Sequence, residues 1–237
     1  LWTAVPSGTT QPLTGLWGSS ATDIWAVGGA GTIVHYDGTA WTASTSGTTK
    51  RLVRVYGIDA THVFAVGDGG TALMWNGTAW TTMTTGQTAN LGDVWGLATN
   101  DVYAVGDHGT VIRYDGTAWA KVVPVGAAPT RNLYAIRGSS ANDLWVAGAL
   151  GNLLRYNVTT KTWTGVATGT INNLSGLSVA SASDVWVVGQ SGRLLHWNGT
   201  ETSQADSGTL SSLSGIWASS ATQLMAVGDN GVILKSD

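Results

Sequence analysis

The chain has 237 residues, a net charge of −3, 11% charged residues, 33 Gly, 13 Trp, one Phe and no Cys. This balance excludes the basic footprint of a duplex nucleic-acid binder, a disulfide framework, zinc–thiolate site or thiol nucleophile, and, with no run of about 18 apolar residues, a membrane-spanning helix. Glycine without a strict triplet excludes collagen, and an apolar share of 43% suffices for a core.

Leu1-Trp2-Thr3 opens the chain and matches Ala40-Trp41-Thr42 further along. LTGLWGSSATDIWAVG follows, closing at Gly28, and the pattern returns five times, closing at Gly67, Gly106, Gly148, Gly189 and Gly228. The steps run from 39 to 42 residues. A period near 40 with several short strands per unit marks a propeller blade. In the first unit the predicted strands are Leu13–Gly18, Ile24–Gly28, Thr32–Tyr36 and Ala40–Thr45, here lettered A to D. Asp-Gly-Thr or Asn-Gly-Thr joins C to D in four units; Asx-Gly between β-rich runs signals a hairpin, because these residues accept positive φ. No sustained 3.6-residue apolar period with caps appears.

The blades are predicted near 13–45, 52–84, 91–123, 133–167, 174–205 and 213–237. Because the chain stops after a third strand at Lys235-Ser236-Asp237, residues 1–5 are expected to supply the outer strand of the last blade. The predicted fold is therefore all-β: a single six-bladed β-propeller domain over residues 1–237, four antiparallel strands per blade, closed by the N-terminal strand. Closure removes exposed strand edges. The chain begins inside a blade, and any signal peptide or neighbouring domain would fall outside these 237 residues.

Every Trp falls in a repeat column. Trp17, Trp95 and Trp217 lie in strand A; Trp25, Trp145 and Trp186 in strand B; Trp75 and Trp197 end strand C; Trp2, Trp41, Trp80, Trp119 and Trp163 begin strand D. A residue wanted in every blade points to packing between blades rather than to one ligand. Two apolar columns, Leu16/Val55/Val94/Ile136/Leu177/Ile216 and Ile24/Val63/Val102/Leu144/Val185/Leu224, share a face by strand alternation. Thr202 stands where the fifth blade should carry its strand-D Trp, and Asn157-Val158-Thr159-Thr160-Lys161 replaces the tight turn of the fourth.

The turn DGTAW at Asp37–Trp41 and Asp115–Trp119, with NGTAW at Asn76–Trp80, resembles the D-G-x-x-W turn of bacterial Asp-box-like propeller repeats, one residue shorter. The WAVG…GTI segment looks like the repeats of photosystem assembly propellers, and the six-fold Trp- and Gly-rich unit is similar to tectonin-type lectins. These resemblances imply the fold and a binding role. Low charge, high Thr, Ser and Gly content and the absence of Cys fit a secreted or cell-surface bacterial protein.

A glycosidase needs paired carboxylates, yet the only Glu is Glu201, and most Asp residues occupy turn columns. Asp23, Asp101, Asp143 and Asp184 precede strand B, where a side-chain oxygen bonds local backbone. His35 and His196 share a strand-C column with Arg113, Arg155, Met74 and Lys235, read as a solvated row. No metal-ligand spacing, nucleophile elbow or phosphate loop is present; no catalytic residue, metal or cofactor is predicted. The Asn-x-Ser/Thr sites at Asn76, Asn157, Asn173 and Asn198 read as structural, three of them as left-handed turn residues.

Functional variation should show as departures from the repeat. The A–B loops are monotonous, whereas the D–A segments and B–C tips vary. The candidate ligand-binding residues on that face are Arg54, Asp93, Tyr134, Asp107 and His108. The expected function is a non-enzymatic, lectin-like binding module for carbohydrate; the alternative is a protein-interaction scaffold of the assembly-factor kind, and a glycoside hydrolase ranks last. The expected partner is a glycan or protein surface, with no nucleic acid and no membrane insertion.

Overall fold

The computed structural model describes residues 3–140, 142–220 and 223–236. The chain forms two compact units, Leu1–Ala104 with Val111–Lys121, and Val105–Thr110 with Val122–Asp237.

The first unit carries sheets of β1 (Leu13–Ser20), β2 (Asp23–Gly28), β3 (Ile33–Tyr36) and β4 (Trp41–Ser44), then β5 (Leu52–Asp59), β6 (His62–Gly67), β7 (Ala72–Trp75) and β8 (Trp80–Met83). The third sheet comprises β9 (Leu91–Ala98), β10 (Asp101–Gly106), β11 (Val111–Tyr114) and β12 (Trp119–Lys121). The second unit holds β13 (Leu133–Ser140), β14 (Asp143–Gly148), β15 (Leu153–Asn157) and β16 (Thr162–Gly165). It continues with β17 (Leu174–Ser181), β18 (Asp184–Gly189), β19 (Leu194–Trp197) and β20 (Thr202–Gln204), and ends with β21 (Leu213–Ser220), β22 (Gln223–Gly228) and β23 (Ile233–Lys235). Neighbours in sequence are neighbours in every sheet. Short hairpins permit this, since antiparallel strands need only a tight link. Helix is confined, among the described residues, to one-turn segments between the second and third strands.

These six sheets are the blades of a β-propeller. The strand expected to complete the last sheet falls partly on Leu1 and Trp2, outside the described residues; Thr3–Val5 carry no strand, and that sheet shows three.

Alternation gives each blade two faces. Trp25 lies opposite Trp17 and His35, while Ala26 lies opposite Leu16 and Val34. The Trp25 face of the first sheet, with Val27 and Ile33, packs on Leu52, Val55, Val63, Leu73 and Trp80 of the second. Phe64, Val66 and Ala72 of the second sheet pack in the same way on Leu91, Val94, Val102, Ile112 and Trp119 of the third. In the second unit Trp145, Ala147 and Leu153 meet Leu174, Leu177, Val185 and Leu195. The inward columns are thus seam residues. Two members depart from expectation: Leu16 is 66% exposed and Trp217 60%. Leu16 lies on the face of the first sheet turned away from the second, and Trp217 lies on the face opposite Ile216, which packs toward the fifth.

The Asx turns work differently from the sequence expectation. Asp37 Oδ1 accepts from the amides of Thr39 and Ala40, both at 2.9 Å, and from the Thr39 hydroxyl. Asn76, Asp115 and Asn198 repeat the pattern. Only the following glycine is left-handed, at φ +94° for Gly38. The Asx side chain is an acceptor that closes the loop, so Asn76 and Asn198 are not left-handed residues. The Thr39 hydroxyl and the amides of Ala40 and Thr39 hold Asp37 down to about 2 from the ordinary 3.8, and Thr117 and Ala118 do the same for Asp115.

Two outcomes follow. Leu177→Ala should cost about 2–4 kcal/mol, and Leu16→Ala, in the same column, about 0.5 kcal/mol or less; urea unfolding measures both. A depressed carboxyl adds stability above its unfolded pKa and loses it as pH falls through the folded value. The double variant Asp37→Asn/Asp115→Asn should therefore match the parent at neutral pH and lose less Tm between pH 3.8 and about 2.

Candidate functional site

Each tip between the second and third strands turns through two successive left-handed residues, the second always glycine. The first is Ala30, Gly69, His108, Leu150, Ser191 or Asn230, with φ from +51° to +64°. Only the glycine adopts this conformation without steric cost. The tips are held from the segment that leads into the next sheet. Asn90 accepts from the Gly69 amide at 2.9 Å, Asn132 from the His108 amide at 2.9 Å and Asn173 from the Leu150 amide at 3.0 Å. A second clamp comes from hydroxyls: Thr85, Thr168 and Ser207 donate to the carbonyls of Gly70, Gly151 and Gly192. A Cβ on Gly151 would stand 1.9 Å from the Thr170 carbonyl oxygen, so that position admits glycine alone.

The connecting segments therefore lie beside the tips, as expected, but Asn90, Asn132 and Asn173 are structural. Their sequence signal was present: Asn directly before the Leu that opens β9, β13 and β17.

The candidate residues divide between the two units. In the first, Arg54 in β5 and Asp93 in β9 come together. Arg54 Nε lies 3.9 Å from Asp93 Oδ1, and Nη1 donates to the Thr14 carbonyl at 3.0 Å. The Asp93 side chain is only 3% exposed, and its Oδ1 also accepts from the Val94 amide. The half-buried guanidinium borders a 640 Å³ cleft shared with Thr14, Leu16, Trp41 and Val5. In the second unit, His108 is exposed at its tip, Asp107 half-buried beside it, and Tyr134 half-buried in β13, two residues beyond the Asn132 that holds the His108 amide.

The same unit reveals residues the sequence reading missed. Leu150 occupies a left-handed tip position and is 53% exposed, while Ile171, two residues from its clamp Asn173, is 80% exposed. Arg131 reaches the Leu150 carbonyl at 3.5 Å. A cation and two bare aliphatic chains thus surround one tip. A large aliphatic residue in a column otherwise filled by Ala, Gly, His, Ser and Asn was the available signal.

The strand-C row is not simply solvated. Asp23 pairs with His35 at 2.6 Å, Asp184 with His196 at 2.8 Å, Asp101 with Arg113 at 2.5 Å and Asp143 with Arg155 at 2.6 Å. Each strand-C partner lies over a strand-B ring: the His35 and His196 rings stack on Trp25 and Trp186, and the Arg113 and Arg155 guanidinium groups stand over Tyr103 and Trp145. In the second sheet His62 replaces the Asp and Met74 its partner, so both members of the pair change together. These carboxylates bind strand-C His or Arg side chains rather than local backbone, and their role is structural. Among the described residues no group of three or more His, Asp or Glu could hold a metal ion, and no helix is long and apolar enough to cross a membrane.

No protein-family model matches the chain, and no curated protein matches it. Solved structures do. YCF48 from Cyanidioschyzon merolae aligns with a TM-score of 0.78 at 16% identity, over 98% of this chain and 84% of that one. YCF48 bound to D1 peptide aligns at 0.52 and 16% identity, over 98% and 94%. A streptogramin B lyase aligns at 0.77 and 12% identity, over 95% and 82%. The fold is that of a six-bladed β-propeller. A fold shared by peptide binders and a lyase does not specify an activity.

The Arg54–Asp93 contact should show a coupling of about 1 kcal/mol in a double-mutant cycle of Arg54→Ala and Asp93→Ala read by urea unfolding, reduced from the buried-pair range by the half-exposed guanidinium.

Proposed function

We propose that this chain is a non-enzymatic binding domain whose partner is a polypeptide, docked on the tips between second and third strands and the segments beside them. The observation that carries this reading is the cluster of Arg131, Leu150 and Ile171. Bare aliphatic chains beside a cation suit a protein surface, where apolar anchors are ringed by polar groups. Sugar hydroxyls gain little from an isolated Leu and Ile. Likeness to a propeller solved with a bound peptide supports the same direction.

The clamps give the domain a suitable mechanism. Backbone at the tips of the second to fifth sheets is fixed by Asn, Ser or Thr from the neighbouring segment, so the side chains of those tips are presented without ordering a loop on binding. That saving appears directly in affinity. His108 and Leu150 each sit at a fixed tip and differ in chemistry, which gives specificity without changing the scaffold.

The test places a photo-crosslinking amino acid at position 171, with position 183 in an A–B turn as control, and identifies what is captured in extract of the source cells. The purified partner is then titrated against Ile171→Asp and Leu150→Gly. Capture at 171 alone is expected, with affinity falling at least about tenfold, or 1.4 kcal/mol, in each variant. Leu150→Gly should keep or raise Tm, because it relieves a left-handed leucine. Equal capture at both positions, or a saturable glycan-array hit abolished by the same variants, would overturn the reading.

A further inference from the structure

The aromatic seams contain a template for a second site, away from the tips. In the first seam Trp25 packs on Trp75 at 4.8 Å and receives Trp80 edge-on at 5.2 Å. In the second, Phe64 packs on Tyr114 at 5.6 Å and receives Trp119 edge-on at 6.2 Å. Three rings fill each seam: one from the second strand of one sheet, two from the third and fourth strands of the next. The seam between the fourth and fifth sheets has the first two, Trp145 and Trp197, at 5.6 Å. The third position is Thr202, the first residue of β20.

A cavity of 750 Å³ lies at that place, within the size range of small-ligand sites. Its walls include Arg155, Val166, Trp197, Thr202 and Gln204. The walls are fixed by contacts of their own. Trp197 donates its ring N–H to the Ala182 carbonyl at 3.2 Å. Arg155 is held by Asp143 at 2.6 Å and stands over the Trp145 ring at 5.6 Å. The Thr202 hydroxyl is bound to the Ala167 carbonyl.

We propose that this cavity takes one aromatic side chain, Trp or Tyr, from a partner polypeptide, which would seat where Trp80 and Trp119 sit in the other two seams. The occupant follows from those seams: Trp197 lines this cavity as Trp75 and Tyr114 flank the indoles of Trp80 and Trp119, at 6.0 and 5.5 Å. Arg155 adds a cation beside the incoming ring, and Glu201, Gln204 and Thr164 at the mouth offer polar partners for the ring N–H or hydroxyl. The site goes beyond the tip reading and uses none of its residues, so either can fail alone.

The test uses the whole chain, isotope-labelled, titrated with N-acetyltryptophanamide, with N-acetylleucinamide and methyl glucoside as comparison probes. Saturable shifts at the Trp197 indole N–H and the Thr202 amide are expected, with affinity at least about tenfold above that for the leucine probe. Thr202→Trp should fill the cavity, raise Tm and abolish the shifts. Should that variant misfold, intermolecular NOEs from the probe ring to Trp197 and the Thr202 methyl in the parent chain decide. No saturable shift, NOEs elsewhere, unchanged binding in a folded Thr202→Trp chain, or preference for methyl glucoside would overturn the proposal. Ile171→Asp should bind the probe normally, separating this result from that of the tip surface.

Discussion

The structure depends on one constraint: a four-stranded blade is too thin to bury its own apolar residues, so each must find cover on a neighbour. Within each unit this is met in one way. The aromatic face of one sheet packs against the β-branched face of the next, and rings from the outer strands of the second sheet close the seam at the rim. Aromatics suit the position because the gap between twisted sheets widens outward, and large flat groups fill it at low side-chain entropy cost. Glycine appears where the opposing ring comes closest: a Cβ on Gly57 would stand 2.3 Å from the Trp17 ring.

The loops obey a related rule. Each tip needs two left-handed residues; the second is always glycine, the first is glycine only at Gly69 and costs free energy elsewhere, and three tips are held by an Asn from the segment that follows. The clamp moves the ordering cost into folding. Variation is then allowed only in side chains that project from a fixed backbone, which is the condition for a rigid recognition surface.

How far this was legible from sequence depended on the scale of the interaction. Blade number, strand positions and the seam columns follow from a 39-residue period and from alternation, since each blade repeats the same local solution. The Asx turns were found for the wrong reason: sequence shows an Asx-Gly pair but not whether Asx supplies a backbone conformation or an acceptor oxygen. The Asp–His and Asp–Arg pairs were missed because a spacing of 12 residues spans two strands and is invisible to short-range patterns. Leu16 and Leu177 occupy one column yet differ completely in burial, because cover is a property of the neighbouring sheet and not of the residue.

The candidate site was harder still, for a reason that the second sheet makes plain. Departure from a repeat is a natural mark of function, yet His62 and Met74 depart together, and His62 pairs instead with Asp59 at 3.0 Å. A compensated departure has no physical consequence to explain. An uncompensated one leaves something behind. At Thr202 it leaves a cavity walled by Trp197 and Arg155; at Leu150 it leaves an exposed aliphatic chain on a left-handed backbone that glycine would hold at less cost. Selection for stability alone would remove both, since filling the first and relaxing the second are single substitutions that improve packing or backbone energy. Each is a local cost that the regular scaffold does not require, and that cost is the physical ground for the two binding proposals.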